Sequence, residues 1–123
     1  VYSMANDGGF LTTHILDTAK GCPAKGVQID LYRLNGEERK LINTAISNND
    51  GRTDVPMIDK GQMQVGTYEL VFAVGDYFAA STQYYKVPFI DIVPIRFGIE
   101  NAEEHYHVPL LASPYSYSTY RGS

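Results

Sequence analysis

The chain holds three histidines, His14, His105 and His107, and their spacing is where chemistry could begin. His105 and His107 are two residues apart in a segment with strand character. Period-two geometry therefore points both to one face and Tyr106 to the other. His14 falls in a second segment of the same kind. Three readings are open. A His-X-His pair can be a solvated or hydrogen-bonded strand face. It can join His14 in a zinc site with three nitrogens and one open position, although no carboxylate stands at an obvious supporting spacing. It can also do metal-free acid–base work, which suits an imidazole because its pKa lies near neutrality.

Arg52 lies in the run Asn49-Asp50-Gly51-Arg52-Thr53-Asp54. In an exposed loop it would pair with Asp50 or Asp54. In a site its planar donors would face a carbonyl or an anionic heterocycle, and spacing does not choose between the two. The tail from Tyr115 to Ser123 alternates, with Tyr120 beside Ser116 and Ser118, and Arg121 beside Tyr115 and Tyr117. An aromatic edge strand with a loose end is the ordinary reading of such a tail. Cys22 is the single cysteine, so neither an internal disulfide nor a cysteine metal cluster can form. Beside Pro23 in a turn, it reads as a bystander.

The elements that must hold these residues are mostly short strands. Phe10 to Leu16 alternates, with Leu11, Thr13 and Ile15 on one side and Thr12, His14 and Leu16 on the other. Gly21 to Gly26 reads as a turn. Val27 to Leu34 alternates again, and Asn35-Gly36 signals a hairpin. Strands are expected over Lys40 to Ser47, Gln64 to Val74, Phe89 to Ile99, His105 to Ala112 and Tyr115 to Arg121. Pro94 marks the Phe89 to Ile99 segment as an edge or a bulge. Gly75 to Thr82 is the one plausible helix, with Asp76 as its cap. Strands at this spacing with one short helix imply an all-β sandwich in a single domain. We expect residues 1–9 to be an N-terminal extension and residues 10–123 to form the domain.

Composition limits the function classes. At 123 residues the chain can bury one core without staples. Ten tyrosines, eleven glycines and no tryptophan favour strands and turns. A formal net charge of -4, with no basic run, argues against nucleic acid as a partner. No apolar run approaches the roughly 20 residues that cross a bilayer, so no membrane partner is expected. The cytoplasm is the expected compartment, with the periplasm after removal of a signal peptide as the alternative.

Four blocks taken together carry a resemblance. Leu11-Thr12-Thr13-His14-Ile15-Leu16-Asp17, Gly51-Arg52-Thr53-Asp54, His105-Tyr106-His107-Val108-Pro109-Leu110 and the terminal Tyr120-Arg121-Gly122-Ser123 resemble, in order, the signature blocks of the 5-hydroxyisourate hydrolases of the transthyretin-related family. The resemblance implies a two-sheet transthyretin-like (prealbumin-like) β-sandwich, assembled as a homotetramer, a dimer of dimers, with active sites in a central channel. It implies hydrolysis of 5-hydroxyisourate in urate degradation, without metal or other cofactor. Carried over by position, the site residues are His14, Arg52, His107 and Tyr120, with His105, Arg121 and Ser123 close by. His14 or His107 would act as general base and Arg52 would orient substrate and stabilise charge. Tyr120 would hydrogen-bond the ring, and Ser123 would relay a proton through its hydroxyl or carboxylate.

Overall fold

The computed structural model describes residues 8–81 and 86–123. Eight strands and one helix follow in order: β1 (Phe10–Asp17), β2 (Cys22–Pro23), β3 (Gln28–Asn35), β4 (Glu38–Ile46), β5 (Gly66–Ala73), α1 (Val74–Ser81), β6 (Ile92–Ile99), β7 (His105–Ala112) and β8 (Tyr117–Thr119). They form two four-stranded sheets, ordered β2-β1-β7-β8 and β4-β3-β5-β6. Every pairing is antiparallel except β1 with β7. This is the expected two-sheet sandwich with one short helix.

Alternation decides which faces meet. Leu11 and Ile15 of β1 and Leu110 of β7 are buried, as are Ile29 and Leu31 of β3, Leu70 and Phe72 of β5 and Val93 of β6. Each such side chain contributes roughly 1.5–3 kcal/mol by leaving water. The opposite residues of β1 and β7, namely Thr12, His14, His105 and His107, are left on the outer face of the first sheet. The core therefore sits behind the site and holds its floor rigid.

Some boundaries differ from the sequence expectation. Cys22 and Pro23 form a two-residue strand rather than part of a turn, because they pair with Asp17 and Leu16 at the sheet edge. The hairpin loop is Gly36 and Glu37, between the paired Asn35 and Glu38, with Gly36 at φ +65°. The helix starts at Val74, directly off β5, so Asp76 lies inside its first turn and is not its cap. The expected helix end at Thr82, and most of the proposed extension (residues 1–7), lie outside the described residues. Pro94 does lie on an edge strand, opposite Val71 of β5, where its missing N–H faces away from the ladder.

A part-buried side-chain hydrogen bond ties the helix to β1. Tyr77 donates to Asp17 Oδ2 at 2.7 Å, while Asp17 Oδ1 accepts the backbone N–H groups of Ala19 and Lys20 at 3.0 Å each. Burial, and then the hydrogen bond and charge of Asp17, push the Tyr77 hydroxyl far above the ordinary tyrosine range.

Candidate active site

The parallel register of β1 and β7 assembles the site. Phe10 pairs with His105, Thr12 with His107 and His14 with Pro109. Side chains of one parity on both strands rise from the same face, so residues some 90 positions apart become neighbours. The His105 ring stacks on Phe10, with centroids 3.9 Å apart and planes 8° from parallel. Between the two β7 imidazoles lies the Thr12 hydroxyl, 2.7 Å from His105 Nε2 and 2.7 Å from His107 Nδ1.

The loop after β4 brings in Arg52. Its backbone bridges His14, and Ile15 N–H donates to the Gly51 carbonyl at 2.8 Å. Asn48 organises the turn: its side-chain oxygen accepts the N–H of Asp50 at 2.9 Å and of Arg52 at 3.1 Å. Its amide donates to Asp54 at 3.0 Å. Gly51 is obligatory here. Its φ is +76°, and a Cβ would lie 2.4 Å from the Ile15 carbonyl oxygen. The ion pairs with Asp50 or Asp54 weighed from the sequence do not form, and no carboxylate among the described residues pairs with Arg52.

The tail closes the third side. β8 pairs with β7 from Ala112–Tyr117 to Leu110–Thr119, and the same register resumes where His107 bridges Gly122. The interruption falls opposite Pro109, which has no N–H to donate; its carbonyl accepts the Thr119 hydroxyl at 2.7 Å. Gly122 N–H donates to the His107 carbonyl at 2.8 Å. A Cβ on Gly122 would approach His107 Cδ2 to 2.5 Å, so only glycine lets the chain pass this ring at its present distance.

These three segments enclose an open cavity of about 310 Å³, lined by Thr12, Thr13, Arg52, Thr53, His105, His107 and Ser123. That is the small end of the range for ligand pockets. His14 stands beside the cavity wall, next to Arg52. Burial, followed by the Arg52 charge, holds the His14 imidazole below its usual pKa, against the opposing pull of the Asp50 carbonyl and carboxylate. His107 is lowered by burial, then by Arg52, His105 and His14. His105 is lowered by burial and then by Arg121. All three therefore favour the neutral form at neutral pH, the state in which an imidazole can accept a proton.

Of the residues singled out in the sequence, His105, His107, Arg52 and Ser123 line one cavity and His14 adjoins it. Tyr120 and Arg121 do not line it. They border a separate hollow of about 370 Å³ beside β6, with Phe97 and Tyr106. Arg121 donates to Glu104 at 3.2 Å and lies 4.1 Å over the Tyr106 ring. Sequence reasoning missed Thr12, Thr13 and Thr53. Alternation had placed Thr12 on the His14 side, but only the β1–β7 register shows what it faces. Among the described residues, no group of three or more His, Cys, Asp or Glu side chains is arranged to hold a metal ion, so the three-histidine zinc arrangement does not form.

Known proteins share this arrangement of sequence and fold. The model of the HIUase/Transthyretin family matches residues 11–122. The chain is similar to 5-hydroxyisourate hydrolase 2 of Rhizobium meliloti (strain 1021), with 58% identity over 116 residues, 94% of this chain and 97% of that protein. The solved structure of an (S)-allantoin synthase superposes with a TM-score of 0.88 at 48% identity. That match covers 97% of this chain and 45% of that one, so this chain spans under half its length. The 5-hydroxyisourate hydrolase of Klebsiella pneumoniae superposes with a TM-score of 0.77 at 33% identity, covering 94% of this chain and 99% of that one.

Proposed function

The chain belongs to the HIUase/Transthyretin family, and from that premise we propose that it hydrolyses 5-hydroxyisourate in urate degradation. Water opens the six-membered ring to give 2-oxo-4-hydroxy-4-carboxy-5-ureidoimidazoline. One observation carries the reading: an arginine without a carboxylate partner among the described residues stands beside imidazoles held neutral at an open cavity.

Attack of water on a ring carbonyl builds negative charge on its oxygen. It also requires a proton to leave the water and another to reach the departing nitrogen. A neutral His14 or His107 takes the first proton. The Arg52 guanidinium orients the substrate and stabilises the oxyanion through its planar donors. The Ser123 hydroxyl relays a proton within the cavity. Tyr120 hydrogen-bonds the purine-derived ring, and His105 and Arg121 complete the binding set. None of these steps calls on a metal or other cofactor.

The assembly that goes with this reading is a homotetramer, a dimer of dimers. Its support is that β6 and β8 are open sheet edges, whose unpaired backbone groups can add a neighbour's strand. Phe89, Tyr115, Tyr117 and Tyr120 are exposed on or beside these edges. Tyr120 and Arg121, which lie away from the cavity of their own chain, serve a site in that assembly. We place the protein in the cytoplasm, with the periplasm as the alternative. No helix among the described residues is long and apolar enough to cross a membrane.

The test is loss of absorbance of freshly generated 5-hydroxyisourate, with and without residues 120–123. Turnover well above the spontaneous rate in the full chain, and its loss on truncation, is the expected result. Turnover equal to the spontaneous rate removes the reading. Dialysis against a chelator separates the mechanisms: activity lost and then restored by zinc would replace this chemistry with that of a metal hydrolase.

A further inference from the structure

The Thr12 hydroxyl is the least ordinary feature of the cavity. It has a single proton to give and two lone pairs to receive with. It nevertheless stands 2.7 Å from a ring nitrogen on each of two histidines. Two bare nitrogens cannot both be satisfied by one hydroxyl proton, so at least one of them must carry its own hydrogen. Both rings are held in place: Phe10 stacks on His105, and Gly122 passes against His107. In this packing each imidazole keeps one nitrogen at the hydroxyl. The protonation of one ring at the hydroxyl therefore restricts that of the other.

Nδ1 is the His107 nitrogen that the hydroxyl engages, so the arrangement that leaves Nε2 of the same ring bare is the one in which Nδ1 keeps the hydrogen and donates to the hydroxyl. The hydroxyl then donates onward to His105 Nε2. A histidine in water, by contrast, prefers its proton on Nε2. We propose that Thr12 is a positioning residue whose hydroxyl fixes His107 as the Nδ1–H tautomer and leaves Nε2 bare to take a proton in the cavity. This rests on the reading that His107 acts on substrate in that cavity. A second nitrogen that sets the role of the first is a general device of histidine chemistry.

The experiment uses the full chain and two substitutions. Thr12→Val keeps the branched strand-forming shape and removes the hydroxyl; Thr12→Ser keeps the hydroxyl. Histidine ring nitrogens are read by long-range proton–nitrogen correlation spectra, and turnover by 5-hydroxyisourate absorbance. The parent is expected to show His107 with its proton on Nδ1. Thr12→Val should shift that signature towards Nε2–H and lower kcat about five- to tenfold, the worth of one hydrogen bond, with KM nearly unchanged. Thr12→Ser should restore both. A His107 signature that is the same in the parent and in Thr12→Val overturns the proposal, as does an Nε2–H parent. Failure of the site reading looks different. His107→Asn would then keep parental turnover, while the tautomer comparison would still decide the role of Thr12.

Discussion

Gly122→Ala tests the placement of the tail against His107 with the smallest change available. A Cβ at that position stands 2.5 Å from Cδ2 of the ring, 3.2 Å from Cγ and 3.3 Å from Cβ. Ordinary carbon contacts begin near 3.4 Å, so about 0.9 Å of separation has to be found. Gly122 is not among the positive-φ glycines, so alanine adds no backbone strain and the contact is the whole effect. The ring can swing away, which moves the proposed base by about an ångström. Alternatively the tail can lift, which breaks the 2.8 Å bond from Gly122 N–H to the His107 carbonyl and carries Ser123 out of the cavity. A misplacement of that size costs on the order of 10²-fold in rate. The cost in stability is far smaller, about 0.5–1.5 kcal/mol for one terminal hydrogen bond. The expected outcome is kcat lower by about two orders of magnitude with a Tm displaced by only a few degrees. Absorbance kinetics and a thermal melt on the same preparation measure both. Parental kcat in Gly122→Ala refutes the claim that the tail sets the position of the His107 ring.

Four further outcomes follow from the structure. His107→Asn and His14→Asn should each lower kcat, and the one that removes the general base should do so by roughly 10²–10⁴-fold; near-normal turnover in both sinks the assignment. The lowered histidine pKa values put the acid limb of kcat/KM below pH 6.5, and Arg52→Met, by removing the charge that lowers His14 and His107, should move that limb upward. A limb that stays in place in the pH–rate profile contradicts the role of Arg52. The same shifts bear on stability: the folded chain binds fewer protons than the unfolded one, so the histidine contribution is complete above pH 6.5 and is lost as the pH falls below it, which urea melts across the acid range would follow. Tyr77→Phe should cost about 1–3 kcal/mol in urea unfolding, because the buried Asp17 loses the partner of one carboxylate oxygen while kcat stays near parental.

The fold was legible where the pattern is local. The alternation of Leu11, Thr13 and Ile15 against Thr12, His14 and Leu16 separates the two faces of β1, and the structure buries the first of them. Ile29 and Leu31 of β3 and Tyr68, Leu70 and Phe72 of β5 are likewise buried. Pro94 marked its segment as an edge or a bulge, because a missing N–H is tolerated at either, and the structure makes it an edge strand. Boundaries were less legible. Val74 has the apolar, branched character of a strand residue yet begins the helix, and Cys22-Pro23 has no strand pattern yet pairs at an edge. In both cases the neighbouring strand, not the residue's own propensity, decides.

The site shows where local reading stops. His105 and His107 share a face by spacing alone, and that much was readable. Nothing local says that Thr12 stands between them, because that depends on a parallel pairing of segments separated by most of the chain. A shift of the β1–β7 register by one residue would turn Thr12 and His14 away from His107 and bury them instead of Thr13 and Ile15. The core thus fixes the register, and the register fixes the hydrogen bonds of the imidazoles. Arg52 illustrates the same dependence in a loop. Its two acidic neighbours suggested a surface ion pair, yet the turn built on Asn48 takes Asp54 for itself and presses Gly51 against the Ile15 carbonyl. The arginine is left with its charge uncommitted next to His14 and the cavity. A carboxylate at hand in sequence is therefore no guide to a partner in space. What leaves Arg52 uncommitted beside the cavity is the backbone demand of Gly51, which places residue 52 against β1.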